Sequence, residues 1–192
     1  MAFRDRVQGG SVKVWDPLLR LAHWGLAGAV TLALVSDEDR KLHEAAGYVA
    51  LGIVAFRIAW GFVGPRHARF SDFVRSPGAV LAYLRDVFRL RARRHLGHNP
   101  AGGAMILALF GLVLTAGISG WMSETDRFFG VGWVEGLHSA SANLLLLLVI
   151  GHVIGVFVTS FLHGENLVRA MVTGRKPAAL SDPYGEADTE HA

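Results

Sequence analysis

The chain has 192 residues, of which 52% are hydrophobic and 18% are charged, and its mean hydropathy is +0.35. This composition is unusual for a soluble globular domain and predicts an integral membrane protein. The sequence contains no cysteine, which excludes disulfides, iron–sulfur clusters, thiolate zinc sites and covalently attached c-type haem. The net charge of +3 does not predict a nucleic-acid partner, because the basic residues cluster in the connections between apolar segments.

Four apolar segments are long enough to cross a bilayer, which requires about 20 residues of helix. They cover residues 18–35, 42–63, 102–122 and 136–162. Asp16 and Pro17 form a helix-start signal before the first segment. No small-residue cleavage site follows that segment, so we expect a retained anchor and not a removed signal peptide. The sequence predicts an all-α membrane protein, a bundle of four transmembrane helices.

The connection between the second and third segments is long and rich in arginine. Residues 77–95 within it carry apolar side chains on one helical face and charged side chains beside that face. One interpretation is a cytoplasmic amphipathic helix that lies along the membrane surface. The other is a small cytoplasmic helix packed on the bundle.

Lysine and arginine are distributed unequally between the two sets of connections. Fifteen lie on the side shared by the N-terminus, the long connection and the C-terminal tail, whereas Arg40, Lys41 and Arg127 lie on the other side. The positive-inside rule therefore predicts that both termini face the cytoplasm. We assign residues 1–177 to the membrane domain and expect residues 178–192 to be a polar, disordered tail.

Four of the nine histidines lie in the apolar segments, where an ionisable side chain costs about 3 kcal/mol and suggests a function. His138 and His152 are fourteen residues apart, which is about 21 Å and close to four helical turns. They therefore share one helix face at two depths. Chain direction places His43 level with His138, and His23 level with His152. Two such pairs are what a four-helix bundle needs to hold two porphyrins, each between two imidazoles.

Other histidine functions make different predictions. A zinc transporter or a proton relay would bring the four histidines together at one depth, and their separation into two levels argues against it. Four of the remaining histidines are predicted to lie near the surface, in loops, at the membrane boundary or in the tail, namely His67, His95, His163 and His191.

Two residues are additional candidates. Arg57 lies fourteen residues beyond His43 and so near the level of the His23 and His152 pair. Its guanidinium either binds a haem propionate or snorkels to the cytoplasmic headgroups. His98 precedes Asn99 and Pro100 at the start of the third segment, where a helix cap is the default interpretation and a propionate or quinone contact is the alternative.

Several motifs, in order and at the expected spacing, resemble the prokaryotic cytochrome b561 family. That family includes the b-type cytochrome subunits of membrane-bound nickel–iron hydrogenases. The resemblance covers roughly residues 12–177. Its motifs include Val14-Trp15-Asp16-Pro17, His23-Trp24, His43-Glu44-Ala45-Ala46-Gly47-Tyr48, Arg57-Ile58-Ala59-Trp60-Gly61-Phe62, Gly97-His98-Asn99-Pro100, Gly136-Leu137-His138 and Gly151-His152.

This resemblance implies a multi-pass protein of the bacterial inner membrane that encloses two haem b groups. Their axial ligands would be His43 with His138, and His23 with His152. It also implies electron transfer with the quinone pool as diffusible substrate, and it assigns no residue to covalent catalysis. The partner on the periplasmic side differs among family members. It can be a hydrogenase, a c-type cytochrome or a small molecule such as superoxide.

The charge of the short connections bears on that partner. Seven acidic residues face three basic residues there, which leaves four net negative charges; the acidic residues are Asp37, Glu38, Asp39, Glu44, Glu124, Asp126 and Glu135. Such a face would steer a basic protein such as a c-type cytochrome and repel an anion such as superoxide. The alternatives are a superoxide or quinol oxidoreductase acting alone, and a haem-bearing anchor of a hydrogenase-type complex.

Overall fold

The computed structural model describes residues 10–36 and 38–178. Asp37 of the acidic set and all of the predicted tail except Ala178 lie outside the described residues. The elements follow in chain order: β1 Ser11–Lys13, α1 Pro17–Val35, α2 Arg40–Val63, a 3-10 turn Arg66–Ala68, α3 Phe70–Phe73, α4 Pro77–Phe88, α5 Pro100–Ser123, α6 Gly132–His163, α7 Leu167–Thr173 and β2 Arg175–Pro177.

Four helices, α1, α2, α5 and α6, are long and apolar enough to cross a membrane. The prediction of an all-α membrane protein with four such helices is confirmed. Each helix begins and ends within four residues of the corresponding predicted segment. Side-chain caps explain two of the starts, since Asp16 accepts from Leu19 N at 3.0 Å and Asn99 accepts from Gly102 N at 2.7 Å. The cap at α5 therefore comes from Asn99, which leaves the ring of His98 available for other contacts.

Helix packing follows a chain of neighbours. Helix α1 packs on α2, α2 on α5 and α5 on α6, around a core that includes Val30, Val54, Val113 and Leu145. Among the described residues, the backbone of α6 packs far less closely on α1 and α2 than on α5. Space therefore remains between α6 and the first two helices, the elements that carry the four histidines of interest.

The two ends of the bundle differ. The short-loop face carries the α1–α2 and α5–α6 connections, and the long-loop face carries residues 64–99 and both ends of the described chain. On the long-loop face β1 pairs with β2 in antiparallel register, with Val12 opposite Lys176. Arg20 of α1 also donates from Nε to Met171 O at 3.3 Å, which joins the start of the bundle to α7.

Helix α4 combines the two predicted interpretations. It packs on α5 and buries Tyr83, as a helix docked on the bundle would. Its larger apolar side chains on the other side remain exposed, with Leu81 at 67% and Phe88 at 86% of their full accessible areas. A helix with these two faces can contact the protein and the lipid surface at the same time.

Candidate functional site

The four histidines of the long helices lie in two pairs. The rings of His43 and His138 have centroids 5.9 Å apart, on α2 and α6 near the short-loop face. The rings of His23 and His152 have centroids 6.3 Å apart, on α1 and α6 nearer the long-loop face. The structure thus brings together the same partners that chain direction pairs in the sequence.

Both imidazoles of the short-loop pair are oriented by backbone carbonyls. His43 Nδ1 lies 2.9 Å from Ala33 O of α1, and His138 Nδ1 lies 2.8 Å from Ala116 O of α5. Because a carbonyl can only accept, each Nδ1 carries a proton, and in the neutral imidazole this leaves the free lone pair on Nε2. This is the tautomer that a metal-binding histidine needs.

Gly120 makes room for one of these rings. A Cβ atom at Gly120 would lie 3.0 Å from both Cε1 and Nδ1 of His138, closer than ordinary contacts allow. Any side chain at this position of α5 would push the imidazole away from Ala116 O. Sequence reasoning missed Gly120, since glycine is common at any interface between membrane helices.

The long-loop pair lacks equivalent hydrogen bonds. His23 Nδ1 is buried and has no hydrogen-bond partner among the described residues. Its ring packs edge-on against Trp24 at 5.0 Å between centroids, so position is set by packing rather than by an acceptor. The positive charge of Arg57 lies close enough to interact electrostatically with His23. Polar groups of this level are therefore incompletely satisfied by the protein itself.

The spacing of both pairs fits iron held between two imidazoles. Two such rings have centres about 6 Å apart, since each metal–nitrogen bond is about 2 Å long and each nitrogen lies about 1 Å from its ring centre. The interplanar angles of 52° and 72° are compatible, because each ring can rotate about its own bond to the metal. Within the described part of the chain no three His, Asp or Glu side chains cluster as a shared metal site would require.

Arg57 is enclosed by protein. Its side chain shares the histidine-bearing face of α2, and the residue is 6% exposed. Nη1 has no hydrogen-bond partner among the described residues, and Asp16 at the start of α1 supplies the nearest compensating charge. Burial within the bundle argues against snorkelling and leaves one donor of Arg57 without an acceptor among the described residues.

His98 lies beside this group. Its ring is packed between Trp15, at 4.5 Å, and Phe73, at 5.0 Å between centroids. Burial lowers the pKa of His98 to about 3, and the charges of Arg57 and Lys176 act in the same direction while Asp72 opposes them. Nδ1 is enclosed and unpaired among the described residues. His98 is therefore a neutral imidazole enclosed between two aromatic rings, and Asn99 is the helix cap that the sequence assigned by default to His98.

A buried ionic cluster on the long-loop face was not predicted. Glu165 accepts from Lys176 Nζ at 3.2 Å and from Arg94 Nη2 at 3.0 Å, and all three side chains are largely buried. Burial, together with the charge of Glu165, raises the pKa of nearby Tyr83 to about 12. The cluster joins the long connection, the end of α6 and β2. Nothing in the local sequence marks these residues, because their contacts join positions far apart in the chain.

The acidic short-loop face is partly neutralised internally. Arg40 lies against both Glu44 and Glu124, and Asp39 accepts from Leu42 N at 3.2 Å as the cap of α2. The carboxylates that these contacts use are less available to a partner than the sequence count suggests. Asp126 and Glu135 also lie on this face.

Comparison with known proteins agrees with the geometry of the two histidine pairs. Residues 14–174 match the family model described as prokaryotic cytochrome b561. The chain belongs to this family. Three relatives are each described as a probable Ni/Fe-hydrogenase B-type cytochrome subunit. They come from Rhodobacter capsulatus (24% identity; 86% of this chain and 81% of the relative), Azotobacter vinelandii (28%; 85% and 88%) and Azotobacter chroococcum mcd 1 (29%; 85% and 88%).

Membership of the prokaryotic cytochrome b561 family implies haem b and electron transfer at a membrane. The four long apolar helices agree with a multi-pass membrane protein of this kind. Among the described residues, the two histidine pairs have the chemistry and spacing that suit a b-type haem.

Proposed function

We propose that this cytochrome b561 family member holds two b-type haems and transfers electrons between a periplasmic redox partner and the membrane quinone pool. The observation that carries the proposal is the occurrence of two imidazole pairs at two levels of one bundle, each with centroids about 6 Å apart. Bound haem supplies one-electron oxidation and reduction. His43 with His138 would hold one haem iron, and His23 with His152 would hold the other.

The protein contributes ligand orientation at the first level. The Ala33 and Ala116 carbonyls hold the Nδ1 protons of His43 and His138, so that both Nε2 atoms are presented without rearrangement. Such fixed ligands reduce the structural change that accompanies a change of iron charge, because the rings are already in place.

At the second level the unpaired donors call for an anionic or carbonyl acceptor. Arg57 Nη1 and His98 Nδ1 both lack hydrogen-bond partners among the described residues, and the positive charge of Arg57 helps to lower the pKa of His98. We assign to this region a haem propionate at Arg57 and a quinone oxygen at His98. Both ligands carry oxygen acceptors that would satisfy a buried donor.

Orientation follows from charge. The long-loop face carries most of the Lys and Arg residues, which by the positive-inside rule places it, with both termini, in the cytoplasm. The short-loop face then meets the periplasm, with its acidic side chains turned to a basic partner such as a c-type cytochrome. A cysteine-labelling experiment tests this assignment. A single cysteine at Asp126 should react with an impermeant reagent in intact cells, whereas one at Arg89 should react only after lysis.

Haem stoichiometry tests the proposal first. The full chain is purified in detergent, haem is extracted and quantified, and a reduced-minus-oxidised spectrum is recorded. Two haems per chain with a low-spin bis-imidazole spectrum are expected. One haem or none per chain would contradict the two-level arrangement and return the unliganded histidines to metal binding or proton transfer.

A second candidate function is a haem-bearing membrane subunit of a hydrogenase-type complex, and the names of the three relatives favour it. The two functions differ in the electron donor. Membranes that contain the chain are given either hydrogen gas or a reduced c-type cytochrome, and haem absorbance is followed. Reduction by hydrogen that is lost after the chain is separated from its complex would identify the hydrogenase-type function.

A further inference from the structure

A groove lies where the long connection meets α5. It has a volume of about 420 Å³ and is lined by the two residues that follow α3, the first turns of α4 and the first turns of α5. Six of its seven lining residues are apolar and one is charged: Val74, Arg75, Pro77, Val80, Leu81, Ala104 and Leu107. The groove is distant in sequence and in lining from both histidine pairs.

The depth of the groove follows from its α5 residues. Ala104 and Leu107 lie four and seven residues after the start of α5 at Pro100, or about 6 and 10 Å along a helix that crosses the membrane. This range is the boundary between the headgroups and the hydrocarbon. A ligand here would have one end among acyl chains and the other end among polar groups.

A close backbone approach fixes the shape of the groove. A Cβ atom at Gly103 would lie 2.4 Å from Phe73 O, so the glycine is what allows the end of α3 to rest directly on α5. Phe73 itself is 1% exposed. The wall formed by Val74 and Arg75 is therefore held against α5 by the structure, and the groove does not depend on a loose loop.

The long connection, which supplies Arg75 to the groove, is positively charged overall. Residues 64–99 contain eight arginines against Asp72 and Asp86, a net charge of plus six with histidine neutral. At the groove, Arg75 Nη2 donates to Asp72 O at 2.9 Å, which uses one of its five N–H groups. The remaining donors of an exposed guanidinium can bind phosphate oxygens.

We propose that this groove, the α4–α5 groove, binds one anionic phospholipid, with an acyl chain along the apolar lining and its phosphate at Arg75. A diacyl anionic lipid matches the three features together, namely an apolar wall, an interfacial depth and a positive rim. A soluble peptide does not match the depth. An isoprenoid tail matches the wall but leaves the arginine without a charged partner.

The test compares lipid retention by the full-length, haem-loaded chain. Purified protein is exchanged with equimolar phosphatidylglycerol and phosphatidylcholine of the same acyl composition, and the lipid retained per chain is measured by native mass spectrometry. The wild type should retain about one phosphatidylglycerol in preference to phosphatidylcholine. Arg75→Gln should lower that preference about fivefold, since one basic residue near an anionic lipid contributes about that factor.

Matched variants separate the groove from general electrostatics. Arg89→Gln removes a charge at the far end of α4, and Ala108→Phe adds bulk to an exposed part of α5 that does not line the groove. Neither should change retention, whereas Ala104→Phe should abolish it. The haem spectrum of each variant reports folding independently of lipid.

Three results would overturn the proposal. They are equal retention of the two lipids by the wild type, an equal loss in Arg75→Gln and Arg89→Gln, and displacement of an isoprenoid quinone instead of a phospholipid by Ala104→Phe.

Discussion

The two histidine pairs are built differently although they share helix α6. At the short-loop level, the two Nδ1 atoms are held by the carbonyls of Ala33 and Ala116. At the long-loop level, His23 Nδ1 has no partner among the described residues, and Arg57 lies close by with a donor of its own unpaired. The first pair is oriented by the backbone alone. Beside the second pair, polar atoms of His23 and Arg57 have no hydrogen-bond partner among the described residues.

This difference predicts that each pair can be disrupted separately. His138→Ala should reduce haem from two per chain to one, because one axial ligand of the short-loop level is lost while His23 and His152 remain. His23→Ala should remove the haem of the other level. Haem extraction and the reduced spectrum measure both effects. His67→Ala, a histidine outside the four long helices, should keep two haems; loss of both haems in each single variant would show that the levels are not independent.

The role of the backbone acceptors predicts a large effect of Gly120→Val. The added side chain collides with the His138 ring and displaces it from Ala116 O, so haem retention at the short-loop level should fall about tenfold or more. Haem loss to apomyoglobin in detergent measures this. Gly111→Val is the matched control, since a Cβ atom at Gly111 meets nothing within 4 Å. Equal haem loss in both variants would contradict the specific contact.

The position of Arg57 predicts an effect on potential at the long-loop level. A unit charge about 10 Å away at an effective dielectric constant of about 20 corresponds to about 1.7 kcal/mol, or roughly 70 mV for one electron. Arg57→Gln should lower the midpoint potential of the long-loop haem by that order, because a nearby positive charge favours the reduced, less positive iron. Arg57→Lys should keep most of the potential. Spectroelectrochemical titration measures both midpoint potentials. A shift in the potential of the short-loop haem instead would contradict the assignment of Arg57 to the long-loop level.

The smallest expected effect concerns pH and His98. Burial holds the pKa of His98 at about 3, below its ordinary value of 6.5, so only the unfolded chain binds this proton between those values. The neutral His98 ring makes its full contribution to the free energy of unfolding above about pH 6.5. This contribution decreases as the pH falls toward 3. His98→Gln should therefore flatten the decrease of the thermal unfolding midpoint between pH 7 and pH 5. An unchanged slope would show that His98 is protonated in the folded protein.

Much of the site follows from counting along the sequence. The interval between His138 and His152 gives one helix face and two depths, and the alternating direction of the helices gives their partners, because helix geometry is regular. The same reasoning places Arg57 near the second level. It does not show whether the guanidinium reaches the headgroups or remains buried, since that depends on which side chains of other helices surround it.

The surroundings of His98 could not be predicted by counting along the sequence. Its position before Asn99 and Pro100 suggested a helix cap, with a propionate or quinone contact as the alternative, yet Asn99 supplies the cap and Trp15 and Phe73 enclose the ring. Those aromatic residues come from two other parts of the chain. No local pattern can report a contact between segments separated by 25 or more residues.

The sequence by itself determined the four apolar helices, the two levels of histidine and the family, because these depend on hydropathy, helix periodicity and ordered motifs. The tertiary structure alone decided which carbonyls hold the His43 and His138 rings, why Gly120 has no side chain, and how Glu165, Lys176 and Arg94 meet. The physical reason is the distance along the chain over which each effect acts. Hydropathy and periodicity act within one helix, whereas hydrogen bonds and steric fit between helices depend on how all of them pack.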